Sequence, residues 1–327
     1  MLEYLPYMEI AADALKSFTA TMSKQLSAYR RTLALQATAF DRKLKKYAGD
    51  SVSSKGKSIR PMLVFASSWE SGLSKTILNR ACAVELIHLA SLIHDDIIDN
   101  AMLRRNEPTM FKKYGVKLSL LLGDAIFAHA MSIMANDDAE IQKKGVAAVK
   151  TLCEGEIIQS IFDADKKTSF DDYYDIIDKK TAVLFKLACH FGGAACGDKK
   201  WALCAEKAGR EMGMAYQIFD DICDWIATES NGGKTTGTDL LSGKRTLPIL
   251  LLEKCAAQKD KKLLAGYVKN RDSNSVKSLF CDYKILEQCK LQFDGKLAAA
   301  KKAVLKFDTA AAAKMAEFCD ALSGLLV

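Results

Sequence analysis

Three aspartates fall within five positions of an otherwise apolar run in SLIHDDIIDN, residues 91–100, and the same D-D-x-x-D spacing returns in DDICD. On a helix, Asp95, Asp96 and Asp99 lie within an arc of about 100° and repel one another. They stand late in their predicted helix, where the macrodipole is negative and adds to the repulsion. Left unpaired beside apolar neighbours they would cost stability or take up protons, so a bound polycation is the economical explanation. Ligands that are all oxygen favour Mg²⁺, which keeps several waters and bridges to phosphate. One such cluster reads equally as a solvated acidic helix end. The repeat at Asp220, Asp221 and Asp224, again inside an apolar helical run, argues against that. Two clusters on separate helices can face each other across a bundle and hold metal ions for a diphosphate.

Basic residues accompany each acidic motif. Arg104 and Arg105 follow the first cluster, Lys57 and Arg60 sit in KGKSIRP, and Lys180 lies on a predicted helix of its own. Lys234 and Lys244 lie in the turn-rich stretch after the second cluster. Each taken singly is an ordinary surface charge; grouped in this way they suit phosphate oxygens, with Arg giving paired contacts and Lys a point charge. The formal charge is +7, from 47 Lys and Arg against 40 Asp and Glu, and it is dispersed along helix faces. No basic block with interleaved aromatics and no helix-turn-helix or RNA-module pattern occurs, so a small anionic substrate is preferred over nucleic acid.

The elements that must position these groups read as helices. Apolar residues make up 49% of the chain, there are only 4 prolines, and apolar positions recur at i, i+3, i+4 and i+7, which predicts an all-α fold. Helices are expected over 8–47, 75–102, 116–135, 139–162, 169–196 and 198–227, with another starting at Pro248 and peripheral helices over 258–325. The polar loop AGDSVSSKGKS leads into Arg60 and Pro61. With no repeat of fixed period and no linker, residues 1–327 are expected to form one domain. Its N-terminal helices, within 1–50, would contribute to dimerisation or cover the bundle. The 10 cysteines are scattered without a C-x-x-C pair and read as reduced core thiols of a cytoplasmic protein. No run reaches about 18 consecutive apolar residues, so no transmembrane segment is expected. Leu15 to Phe40 lacks acidic residues, like a presequence, but Glu3, Glu9 and Asp13 precede it and its amphipathic pattern runs on, which disfavours targeting.

In order along the chain, KGKSIRP, ELIHLASLIHDDIID, RRNEPT, GDAIFAHA, GEIIQ, KKTAVLF, YQIFDDICD and GKTTGTDLLSGKRTLPILL resemble the trans-isoprenyl diphosphate synthases, or polyprenyl synthetases. The resemblance implies an all-α, single-domain bundle around a deep central cavity, normally as a homodimer. It implies that Asp95, Asp96, Asp99, Asp220 and Asp224 bind three Mg²⁺ ions on an allylic diphosphate, while Asp221 supports the second cluster. Arg104, Lys180, Gln217, Lys234 and Lys244 would contact that diphosphate. Lys57, Arg60, His88 and Arg105 would hold isopentenyl diphosphate. Two departures stand out: Lys55 and Asn106 occupy positions where the family usually has Gly.

Members of the family that stop elongation early carry bulky aromatics four or five places before the first aspartate; here those places hold Ser91 and Ala90. Ser91 is one turn, about 5.4 Å, below Asp95, and Ile87 is two turns below. With small residues at 90 and 91, these three positions predict an open floor and a product longer than geranylgeranyl. The alternative is a short-chain farnesyl or geranylgeranyl diphosphate synthase whose cavity is closed from another helix by Phe127 or Met131. Three other classes fit less well. An HD-type phosphohydrolase using His88, His94 and Asp95 leaves the second cluster unexplained, and a class I terpene cyclase usually carries a different second metal motif. Non-catalytic subunits of heteromeric synthases tend to lose one of the aspartate clusters.

Overall fold

The computed structural model describes residues 14–53, 56–104, 107–165, 168–226 and 237–326. After helical residues 14–21, the helices are α1 (Ser23–Gln36), α2 (Lys45–Val52), α3 (Ile59–Ser67), α4 (Lys75–Ile98), α5 (Met110–Met134) and α6 (Ala139–Asp165). They continue with α7 (Phe170–Ile177), α8 (Val183–Ala194), α9 (Lys199–Ile226), α10 (Thr238–Ser242), α11 (Leu247–Cys255), α12 (Gln258–Asn270), α13 (Ser273–Asp282), α14 (Ile285–Val304) and α15 (Ala310–Ser323). One short antiparallel ribbon, β1 (Leu103–Arg104) with β2 (Glu107–Pro108), follows the first aspartate cluster and pairs Leu103 with Pro108. The all-α expectation holds.

Local chemistry sets the ends of the site helices. The Ser74 hydroxyl accepts from the Ile77 N–H to open α4, and Thr109 does the same for Lys112 at the start of α5. Gly115 has φ +78°, so α5 kinks there and its regular course begins near 116, the boundary expected from periodicity. The segment expected as one helix over 169–196 is interrupted by a π-turn at Asp178–Ala182 that joins α7 to α8.

α4 buries residues on nearly all its faces, from Ile77 through Asp96, and lies among α3, α5 and α8. α9 runs between α8 and α14. Because α8 packs against both α4 and α9, the two aspartate helices are held apart with space between them. Of the C-terminal helices expected to be peripheral, α12 buries only Leu264, but Ile285, Cys289, Phe293, Leu297, Ala300 and Val304 of α14 are buried against the bundle. Alternating lysines on its outer face hid that stripe. All 10 cysteines are free thiols, and burial pushes Cys82 and Cys319 up to about 12, so they serve as protonated packing groups.

α4 and α5 are both long and apolar enough on average to cross a bilayer, because isolated charges break the runs without lowering the mean. The apolar window of α4 is 67% buried inside the bundle, whereas that of α5 is only 28% buried. Val116, Leu120 and Leu121 of α5 are exposed.

Candidate active site

Between α4 and α9 opens a cavity of about 780 Å³, on whose wall stand Lys57, Arg60, His88, Ser91, Asp95, Asp96, Arg104, Lys180, Gln217 and Asp220. A smaller recess of about 140 Å³ adjoins it, sharing Lys180, Thr181 and Gln217 and reaching Asp221 and Lys244. Arg105 and Lys234, like Lys55 and Asn106, lie outside the described residues.

Helix rotation explains which positions face the cavity. Going back from Asp95, Ser91 and His88 return to within about 40° of it, at four and seven residues. Ala90 is turned away by about 140°, and Ile87, eight residues back, by about 80°. Ile87 and Ala90, expected to border the growing chain, are fully buried in the core and do not stand on the cavity wall. Ser91 is at the wall, with its hydroxyl returned to the His88 carbonyl at 2.8 Å. Phe127 of α5 lines the same cavity, its ring 5.7 Å from that of His94. Met131 does not reach it.

Three cations are already paired with carboxylates. Arg104 Nε donates to Asp96 Oδ1 at 2.8 Å, Lys180 Nζ lies 2.5 Å from Glu156 Oε2, and Lys244 Nζ lies 3.2 Å from Asp99 Oδ1. The Lys244 pair ties the end of α4 to the segment after α10. Burial opposes the Lys244 charge, but Asp99 and Asp239 outweigh it and hold the ammonium above its usual value. Lys180 sits in the π-turn, whose backbone abuts α6. A Cβ on Gly155 would come within 2.8 Å of Lys179 Cβ and 3.0 Å of the Lys180 nitrogen. Such turns recur where a helix must present a functional side chain.

The second cluster is divided among three environments. Asp220 faces the cavity. Asp221 is buried and accepts from Tyr173 Oη at 2.7 Å, Gln217 Nε2 at 2.9 Å and the Leu247 N–H at 3.4 Å. Asp224 accepts from the Thr238 hydroxyl and from the N–H groups of Thr238 and Asp239, each at 3.1 Å, and would have to release them to meet a metal. Thr181 donates to Gln217 Oε1 at 2.6 Å, which fixes the amide so that its NH₂ serves Asp221. Glu156, Tyr173, Thr181 and Asp239 were missed from the sequence. Tyr173 of α7 and Thr181 of the π-turn meet at the Asp221–Gln217 pair, a convergence that no local spacing signals.

Burial raises the Asp95 carboxyl to about 6, helped by Glu156 and Asp99 and opposed by Lys180 and Arg104. Burial likewise lifts Asp221 to about 7 against its hydrogen bonds, and Asp239 to about 7 with Asp221 and Asp224 adding to the effect. The carboxylates therefore lack enough positive charge within the protein itself. Among the described residues no three carboxylate, imidazole or thiolate groups converge as a ready coordination shell. That suits Mg²⁺, which is usually held by one or two carboxylates, water and the substrate's phosphates. The all-oxygen donors of Asp95, Asp96, Asp99 and Asp220 fit it.

The polyprenyl synthetase family model matches residues 41–283. A short chain isoprenyl diphosphate synthase of Methanothermobacter thermautotrophicus is 34% identical over 232 residues, 69% of this chain and 71% of its own length. Component 2 of the heptaprenyl diphosphate synthase of Bacillus subtilis is 36% identical over 209 residues, 63% of this chain and 60% of that protein, so over a third of it lies outside the match. The crystal structure of a decaprenyl diphosphate synthase from Rhodobacter capsulatus shares the fold with a TM-score of 0.86 at 24% identity, covering 96% of this chain and 99% of that one.

Proposed function

The chain belongs to the polyprenyl synthetase family of trans-prenyltransferases, and from that premise we propose that it condenses isopentenyl diphosphate with an allylic diphosphate, head to tail. The observation that carries this reading is the placement of Asp95 and Asp96 from α4 and Asp220 from α9 on one cavity wall with Lys57, Arg60, Arg104 and Lys180. In it, Asp95, Asp96, Asp99, Asp220 and Asp224 hold Mg²⁺, three ions per site, and Arg104, Lys180, Gln217, Lys234 and Lys244 contact the allylic diphosphate. Lys57, Arg60, His88 and Arg105 hold the other substrate.

Bound Mg²⁺ supplies positive charge to the leaving diphosphate. Lys180, Lys244 and Arg104 add fixed cations once the phosphate has displaced their carboxylate partners, stabilising charge as the C–O bond breaks and its electron pair leaves with the diphosphate. The double bond of isopentenyl diphosphate, held by the Lys57 and Arg60 side, attacks the allylic carbon to form the new C–C bond. The proton then lost passes to the departed diphosphate. Thr181 presents oxygen lone pairs to the cavity because its proton is given to Gln217.

Ser91 at the wall supports a product longer than geranylgeranyl. A second reading is favoured by Phe127, whose ring on the same wall would close the cavity early. The relatives named above include short-chain, heptaprenyl and decaprenyl synthases, so they do not choose between them. We read the chain as a cytoplasmic homodimer; the name of the Bacillus relative makes a two-component synthase the alternative. Purified protein given Mg²⁺, labelled isopentenyl diphosphate and farnesyl diphosphate should yield chains beyond geranylgeranyl. Arrest at geranylgeranyl overturns the length assignment, and full activity in Asp95→Ala or Asp220→Ala overturns the mechanism.

A further inference from the structure

Lys57 and Arg60 enter the cavity wall from the loop before α3 and from its first turn, and each lies over an aromatic ring of another helix. The Lys57 ammonium is 5.7 Å from the centre of the Phe219 ring on α9, and the Arg60 guanidinium carbon is 5.3 Å from that of Phe185 on α8. Both fall inside the range of about 6 Å over which a ring face attracts a cation. Tyr216 joins the two rings, 5.5 Å from Phe185 and 6.0 Å from Phe219, and itself lines the cavity. Phe185 and Phe219 are buried, so water does not screen the attraction from beneath.

We propose that Phe185, Tyr216 and Phe219 form an aromatic ladder that positions the Lys57 and Arg60 cations for the isopentenyl diphosphate, an inference that rests on the assignment of those two cations to that substrate. Long basic side chains lose rotamer freedom on binding, and a site that has already ordered them binds more tightly. A carboxylate would order them too, but would compete with phosphate for the same N–H donors. A ring face attracts the charge while accepting hydrogen bonds only weakly.

Steady-state kinetics with each substrate varied in turn tests this. Phe219→Leu and Phe185→Leu keep apolar bulk and remove the π face. Each should raise KM for isopentenyl diphosphate by about two- to thirtyfold, with KM for the allylic diphosphate and kcat near wild type, while Phe219→Tyr keeps KM near wild type. Arg60→Ala and Lys57→Ala, run alongside, should raise the same KM. If they raise it and the leucine variants do not, or if the leucine variants raise both KM values together, the ladder is overturned. If Arg60→Ala and Lys57→Ala leave that KM unchanged, the substrate assignment itself fails and the inference falls with it.

Discussion

Asp95 shows how one carboxyl can be costly to the empty fold and useful to the loaded one. Its pKa near 6 reflects burial beside Glu156 and Asp99, so a proton competes with metal below about pH 6. Apparent Mg²⁺ affinity should be flat above that point and fall roughly tenfold per pH unit below it if one proton is displaced, as Mg²⁺ titrations of the initial rate from pH 5 to 8 would read. Stability runs the other way. A carboxyl whose pKa is raised on folding is neutral and tolerated at pH 4, and its stabilising proton is lost as pH rises through about 6 for Asp95 and about 7 for Asp221 and Asp239. Metal-free protein should therefore lose thermal stability between pH 4 and 7 from these three groups, and Mg²⁺ with inorganic diphosphate should recover it at pH 7. A melting temperature unmoved by both at pH 7 would contradict this account. At the same wall, Ser91→Phe should shorten the product and Phe127→Ala lengthen it, read by chromatographic sizing of the labelled chains. The aspartate clusters were legible because their spacing is local and periodic. Ile87 and Ala90 stand off the cavity wall because helical rotation carries them into the core, which distance along the axis alone does not show. The lock on Asp221 by Tyr173 joins residues 48 positions apart and leaves no local pattern.

Among the helices, the π-turn is where backbone geometry and chemistry meet. It places Lys180 between the cavity and the recess, and it can lie against α6 because residue 155 has no side chain. In Gly155→Ala the new methyl would meet the Lys179 side chain and the backbone nitrogen of Lys180, neither of which can swing aside as a flexible chain end would. Overpacking of this kind costs about 1–3 kcal/mol, and here the strain falls on the Lys180 turn. The expected outcome is a lowered melting temperature together with a raised KM for the allylic diphosphate and a smaller change for isopentenyl diphosphate. Equal changes in both KM values would mean that the turn does not serve the allylic side selectively. The helical course of 169–196 was readable from its apolar period, but the turn was not, since a single extra residue per turn leaves hydrophobic spacing nearly intact. α14 failed differently: Lys290, Lys296, Lys301 and Lys302 suggested a surface helix, and only the bundle shows that Phe293 and Leu297 are buried on its other face.

For the molecule as a whole, α5 leaves an account open that the bundle cannot close alone. It is as apolar as the buried α4, yet its Val116, Leu120 and Leu121 are exposed. Contiguous exposed apolar surface on a folded chain marks an interaction face, and a two-fold pairing of identical helices covers it on both copies with one contact. The same helix carries Phe127 on the cavity wall, so pairing there would stiffen the wall that limits the product. Leu121→Lys places a charge in that face and should convert a dimer to a monomer, read as a halving of mass by light scattering at micromolar concentration. Product sizes from the monomer should spread wherever an unsupported α5 lets the chain push past Phe127. A mass that does not change on substitution would exclude this face. A wild-type chain that is monomeric and inactive alone, but active once a second, different subunit is added, would instead assign α5 to a two-component enzyme.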